Sequence, residues 1–411
     1  MFEPATNSMA NRGAAPYRLL DAWRGFAALW VVLGHSCIGV IATDSPQLAR
    51  EPFYAFCLQC RFAVFLFFVI SGYCIAAAAD SALRKPKPVW YFLRARVRRI
   101  YPPYIASSVL AIVFSLFCGL LEAHHLIPKI NHPPPFRGEH FLFYFASITM
   151  TQVIFHTDRI LLVYWSLCYE VTFYAIVASF LVVLGSRSKA ALYTGLNVLT
   201  LGSLAWLIVS PATCPFPLNL WYQFGLGALA YMLVTHPQDR LVQLYFGAAL
   251  VMTTLCAGIH HNLLLDGMPY LSMSSMIAAA FTVLLLGLYR FDAALSRNWL
   301  VQKMQWLGAI SYSLYLSHYI VIPVPEQIAK KLGFINGTFW VNVLAQVGVA
   351  IVCAYVFHLL FERPFLSSRA KVREAQILSD GVSDSKGDSS ERTAPSVSAT
   401  ETLSSPPATG I

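Results

Sequence analysis

The chain has 411 residues, of which 57% are apolar and only 12% charged; soluble domains carry roughly 25% charged residues, so this composition excludes an ordinary water-soluble fold. Net charge is +9, yet seven of the positives (Arg84, Lys85, Lys87, Arg94, Arg96, Arg98 and Arg99) fall in one short stretch, which argues for anchoring at a membrane face and against nucleic-acid binding. The nine cysteines are odd in number and lie mostly inside apolar runs, which excludes a disulfide framework; Cys57 and Cys60 have no second pair, and no metal site is read.

Apolar runs close to the ~20 residues a spanning helix needs predict crossings at 19–41, 61–80, 101–121, 161–185, 190–210, 218–235, 241–259, 270–289, 305–323 and 338–361. The run at 141–155 is short and reads as a re-entrant or interfacial helix. With that assignment, the 84–99 loop, Arg187 with Lys189, Arg240, and the cluster Arg290, Arg297 and Lys303 all face the cytoplasm. The fold class that follows is an all-α polytopic membrane protein with about ten transmembrane helices and both termini cytoplasmic. The first run is too long for a cleaved signal and reads as the first span. Residues 1–17 form a short cytoplasmic segment, and 366–411, rich in Ser, Thr, Pro and Asp, read as a disordered cytoplasmic tail. No internal repeat of the inverted type is visible.

Ionisable residues at bilayer depth are costly and call for a role or a partner. The first span, "LLDAWRGFAALWVVLGHSCIGV", carries Arg24 and, eleven residues on, His35, about 16 Å further along a helix. Arg24 alone is explained equally well by snorkelling at the membrane edge. His35 then lies near the midplane, where a neutral imidazole suits a general base. In "FFVISGYC", Ser71 and Gly72 read first as a small-residue packing site; Ser71 as a nucleophile has no visible base.

In "LRARVRRIYPPY", Arg96 and Arg99 are three apart and share a helix face, which suits bidentate contacts to a polyphosphate as well as plain anchoring. Pro102 and Pro103 are expected to end one helix and begin the next. In "YWSLCYEVTFY", Glu170 sits inside an apolar span among Tyr164, Trp165, Tyr169 and Tyr174. Rings, hydroxyls and a carboxylate suit sugar recognition; the same stripe also reads as core. "ISYSLYLSHY" places His318 among hydroxyls, and "FERPF" ends the last span with Glu362.

Together these segments, in this order and spacing, resemble the integral-membrane acyltransferase-3 family of bacteria, over about 18–365. The matching elements are Arg24 and His35, "FFVISGY", Arg96 and Arg99 before "IYP", "WSLCYE" with Glu170, "SYSLYLSH" and "ERPF". The resemblance implies a membrane acyltransferase domain in the inner membrane and transfer of acetyl or another acyl group onto surface glycans. It makes His35 the essential histidine, as the base that deprotonates the acceptor hydroxyl or as a covalent carrier of the acyl group, with Arg24 its companion, and sets Arg96 and Arg99 near the phosphates of acyl-CoA, a donor substrate and not a bound cofactor. On this view Glu170 joins the catalytic set. Ser71, Tyr164, Trp165, Tyr169, Tyr174 and His318 face a saccharide or glycolipid acceptor approaching from the periplasmic side. The family often has a proline soon after the histidine of the later motif; here Tyr319 follows His318. The rival reading is a secondary transporter or exporter of a glycan or small anion.

Overall fold

The computed structural model describes residues 17–44, 56, 59–125, 141–185, 187–260, 271–331, 339–368 and 370–376. Most of the N-terminal segment, Cys57, residues 126–140 and residues 377–411 lie outside them. Every regular element among the described residues is helical. In chain order these are α1 (Leu19–Asp44), α2 (Val64–Leu83), α3 (Pro88–Ala123), α4 (Phe141–Thr149), α5 (Trp165–Val183), α6 (Lys189–Val209), α7 (Leu218–Thr235), α8 (Arg240–Ile259), α9 (Leu271–Tyr289), the single turn α10 (Asp292–Leu295), α11 (Trp299–Ala309), α12 (Ser311–Val321), α13 (Pro323–Lys331) and α14 (Phe339–Phe357), continued by a π-helical turn His358–Glu362.

Seven of these helices are long and apolar enough to cross a membrane, eight if the bent pair α11–α12 is one span. The molecule is an all-α polytopic membrane protein, with rows of exposed large apolar side chains such as Val113, Phe117 and Leu120 on α3 and Leu244, Val251 and Leu255 on α8. The two remaining expected crossings, α1 and α7, are helical over the expected lengths but fall outside that group. In α7 the reason is position. Residues 219–232 are buried throughout, so the helix meets protein on all sides and tolerates Asn219 and Gln223. The nine-residue α4 is too short to cross, and its Phe141, Tyr144, Phe145 and Ile148 are exposed.

Two expectations are corrected. Pro102 and Pro103 do not divide a helix: α3 runs through them unbroken from Pro88 to Ala123. The carbonyls that the two missing N–H groups leave free are those of Arg98 and Arg99, in a polar stretch where the loss is easily made good. Conversely, the expected single span 305–323 is broken, with α11 and α12 meeting at 71°. Ile310 interrupts the helix there, and the Ser311 hydroxyl donates to the Gly308 carbonyl at 2.8 Å, satisfying an acceptor that the break exposes.

Packing follows two groups. α1, α11, α12 and α14 form one, α6 to α9 the other, and α2, α3 and α5 lie between them. The α2–α7 contact is one of the most extensive and depends on glycine. A Cβ on Gly72 would overlap the Phe224 carbonyl, and one on Gly227 the Val69 carbonyl, so the two backbones touch, as in small-residue packing of membrane helices. Buried Asp80 at the end of α2 is paired with Lys189 of α6 at 2.6 Å, Arg84 at 2.5 Å and the Tyr231 hydroxyl of α7 at 3.1 Å. Such a carboxylate is tolerable at this depth because it is fully paired. Asp292 of α10 accepts from the backbone amides of Arg18 and Leu19 at 3.1 and 2.8 Å, which caps and orients α1.

Candidate active site

One pocket opens where α1, α2, α3, α5 and α12 meet. Its polar wall consists of Arg24, Ser71, Cys74, Arg96, Arg99, Ser166, Glu170, Tyr174, Ser311, Tyr312 and Tyr315; Phe67, Phe68 and Ile70 are among its apolar neighbours. Three guanidiniums, drawn from two separate helices, therefore face one carboxylate. Arg24 is fixed at both ends of its fork, donating from Nη1 to Asp21 at 3.2 Å and from Nη2 to the Cys74 sulfur at 3.1 Å. The guanidinium carbon of Arg96 lies 5.7 Å from the Tyr174 ring and 5.8 Å from that of Phe92, within cation–π range. Its Nε is buried without a hydrogen-bond partner among the described residues. The break between α11 and α12 brings the first turn of α12 to the same wall, and helix N-termini favour anions.

α5 contributes a stripe. Ser166, Glu170 and Tyr174 are spaced by four, so each lies ~40° round the helix from the one before and all three share one side of it. Glu170 Oε1 accepts from the Tyr174 hydroxyl at 2.5 Å and from Ser71 at 3.0 Å. The expected sugar-facing surface of α5 is not a single surface. Tyr164 points to α3, where its hydroxyl meets that of Ser107 at 2.8 Å. Tyr169 bonds Asn219 at 3.0 Å, and Trp165 packs edge-on against Phe68 and Tyr169. Of the four aromatic residues around Glu170, only Tyr174 lines the pocket. Glu170 itself shares a pocket with the arginines and is not on a separate face.

His35 does not line this pocket. It lies three turns along α1 from Arg24, within ~20° of the same face, with its ring centroid 5.1 Å from that of His318. Each imidazole places Nδ1 3.0 Å from the carbonyl four residues earlier, Val31 for His35 and Leu314 for His318. A carbonyl only accepts, so Nδ1 carries the proton in both rings and Nε2 holds a lone pair. His318 is fully buried, and its Nε2 has no hydrogen-bond partner among the described residues. Tyr315 connects the two regions: it lines the pocket, its ring is 5.8 Å from His318, and its hydroxyl donates to the Val163 carbonyl at 2.7 Å while meeting Ser166 Oγ at 2.6 Å.

The pocket thus contains Arg24, Ser71, Arg96, Arg99, Glu170 and Tyr174 from the sequence-based set, and His35 and His318 form an adjoining pair. Cys74, Ser166, Tyr312 and Tyr315 were not singled out. Two carried a readable signal: Ser166 stands four before Glu170, and Tyr315 three before His318, each on a shared helix face. Cys74 had none, because its role as a sulfur acceptor for Arg24 arises only where α1 crosses α2.

The sequence profile of the acyltransferase-3 family, described as an acyltransferase domain, matches residues 17–359. A curated protein of Komagataeibacter xylinus, described as "Putative membrane-bound transacylase BcsY", is 26% identical over 351 residues, covering 82% of this chain and 81% of that protein. No solved structure shows a significant match.

Proposed function

The chain belongs to the acyltransferase-3 family and is a membrane acyltransferase, and from that premise we propose that it moves an acyl group, acetyl in the simplest case, from cytoplasmic acyl-CoA to a hydroxyl of a saccharide or glycolipid destined for the periplasm or cell surface. The observation that carries this reading is the convergence of Arg24, Arg96 and Arg99 on one pocket that Tyr315 joins to the His35–His318 pair. An anionic donor too large to cross the bilayer docks its phosphates on the arginines, with the basic 84–99 segment on the cytoplasmic side. Its thioester arm extends past Tyr315 towards His35. The acceptor hydroxyl attacks the thioester carbon and gives its proton to His35 Nε2. The carbon–sulfur bond breaks, and the departing thiolate takes that proton. Both termini lie on the donor side in this arrangement, and the membrane is the bacterial inner membrane.

The deciding experiment supplies labelled acetyl-CoA to inverted inner-membrane vesicles containing the parent or His35→Ala. Label should reach a saccharide fraction with the parent and not with the variant, at equal amounts of inserted protein. A variant as active as the parent would remove His35 from the chemistry. A parent that consumes no acyl-CoA in the presence of native glycan would sink the whole reading.

A further inference from the structure

Beyond Tyr315, around the histidine pair, lies a layer of polar side chains that the donor pocket does not include. Val32 of α1, Leu314 of α12 and Ala350 of α14 belong to one apolar cluster. One turn further in a common direction come Ser36, His318 and Gln346, since α14 runs antiparallel to α1: Cys37 pairs with Val343 in the next apolar layer. All three polar residues are completely buried. Ser36 Oγ, His318 Nε2 and both side-chain ends of Gln346 have no hydrogen-bond partner among the described residues. Buried polar groups are ordinarily paired, and leaving them unpaired is costly. Three at one level, against the His35 ring 5.1 Å from His318, make a site with two donors and two acceptors enclosed by apolar packing.

We propose that this layer binds the reacting acyl group, with the Gln346 amide N–H and the Ser36 hydroxyl donating to the carbonyl oxygen of the thioester. This rests on the acyl-transfer reading above and adds the groups that stabilise its transition state. As the acceptor oxygen bonds to the acyl carbon, the carbonyl oxygen becomes negative and the two donors meet that charge. The proton leaves the acceptor for His35 Nε2, and the carbon–sulfur bond breaks as the carbonyl re-forms. Gln346 Oε1 and His318 Nε2 remain as acceptors for neighbouring hydroxyls of the saccharide, which orient the attacking one. Gln346 and Ser36 are thereby catalytic residues, on helices that the arginine pocket does not draw its charge from or, for α1, three turns from Arg24.

The test measures acetyl transfer in inverted vesicles carrying the full chain, as a function of acetyl-CoA concentration, per unit of inserted protein. Gln346→Met keeps the shape and removes the donors. It should lower kcat about 100-fold, the usual cost of one such donor, with KM for acetyl-CoA unchanged. Ser36→Ala should behave alike and Ser36→Thr should recover, because it restores the hydroxyl. A packing role would instead reduce the amount of inserted protein and leave kcat per molecule unaltered. If Gln346→Met fails to insert, the Ser36 pair decides alone. Parent-like kcat in Gln346→Met and Ser36→Ala, with His35→Ala still inactive, overturns this inference and leaves the acyl-transfer reading standing. A parent that does not consume acetyl-CoA overturns both.

Discussion

Arg99 approaches the pocket from α3, while Arg24 approaches from α1 with its fork already committed to Asp21 and Cys74. The two arginines are therefore not equivalent. Arg24 is held in place before any ligand arrives, whereas Arg96 and Arg99 keep donor capacity for one. A charge-assisted hydrogen bond contributes about 1.5–3 kcal/mol, so Arg99→Ala should raise KM for acetyl-CoA roughly 10- to 100-fold with a smaller change in kcat. Arg99→Lys should recover only part of that loss, since an ammonium lacks the planar fork. Initial rates at varied acetyl-CoA check both, and an unchanged KM in Arg99→Ala would return the residue to topology alone. Glu170 shows what was legible at this scale. Its intramembrane position, and the spacing that aligns Ser166 and Tyr174 with it, could be read from the chain. That it shares a pocket with arginines of other helices could not, because crossings between α1, α3 and α5 leave no trace in local periodicity.

The helices were legible as elements because an apolar run of ~20 residues has few other uses. Their interruptions were harder to read. The Pro102–Pro103 pair is a strong local stop signal, yet α3 continues through it; the real break, at Ile310, has no proline. The difference is tertiary. Freed carbonyls near Arg98 and Arg99 cost little, while the turn at Ile310 is supported by the Ser311–Gly308 bond and delivers Ser311 and Tyr312 to the pocket. Gly72 tests the element scale directly. Ser71, its neighbour, donates to Glu170, and Gly72 brings α2 into backbone contact with α7. Gly72→Ala should destabilise by at least the ~1–3 kcal/mol of ordinary overpacking, since the obstacle is a carbonyl that cannot swing away. Gly202→Ala, where a Cβ meets nothing within 4 Å, should be neutral or slightly stabilising. Thermal midpoints in detergent compare the two, and equal midpoints would refute the contact.

Across the whole molecule, the site depends on chain ends that are far apart in sequence. Asp21 accepts from Arg24 on one oxygen and from Arg373 on the other, at 2.7 Å. The described fold therefore continues past the expected boundary at 365 into helical residues 370–376. Glu374 accepts from His358 at 3.2 Å and pairs with Arg363 at 3.6 Å. His358 in turn contacts Glu362, which receives the Ser313 hydroxyl at 2.5 Å. A polar chain thus links the segment after the last span to α12 and, through Asp21, to the arginine-lined pocket. Deleting 377–411 removes none of these contacts and should leave transfer and stability unchanged. Deleting 366–411 removes two half-exposed ion pairs, Arg373–Asp21 and Arg363–Glu374, each worth about 0–1 kcal/mol, and a buried hydrogen bond to His358 worth about 1–3 kcal/mol. It should lower the thermal midpoint and, by freeing Asp21 to draw Arg24 out of its present geometry, raise KM for acetyl-CoA. Arg373→Ala in the full chain separates the two effects. It should change KM modestly at almost unaltered midpoint, and identical kinetics in Arg373→Ala and parent would confine the segment to a structural role.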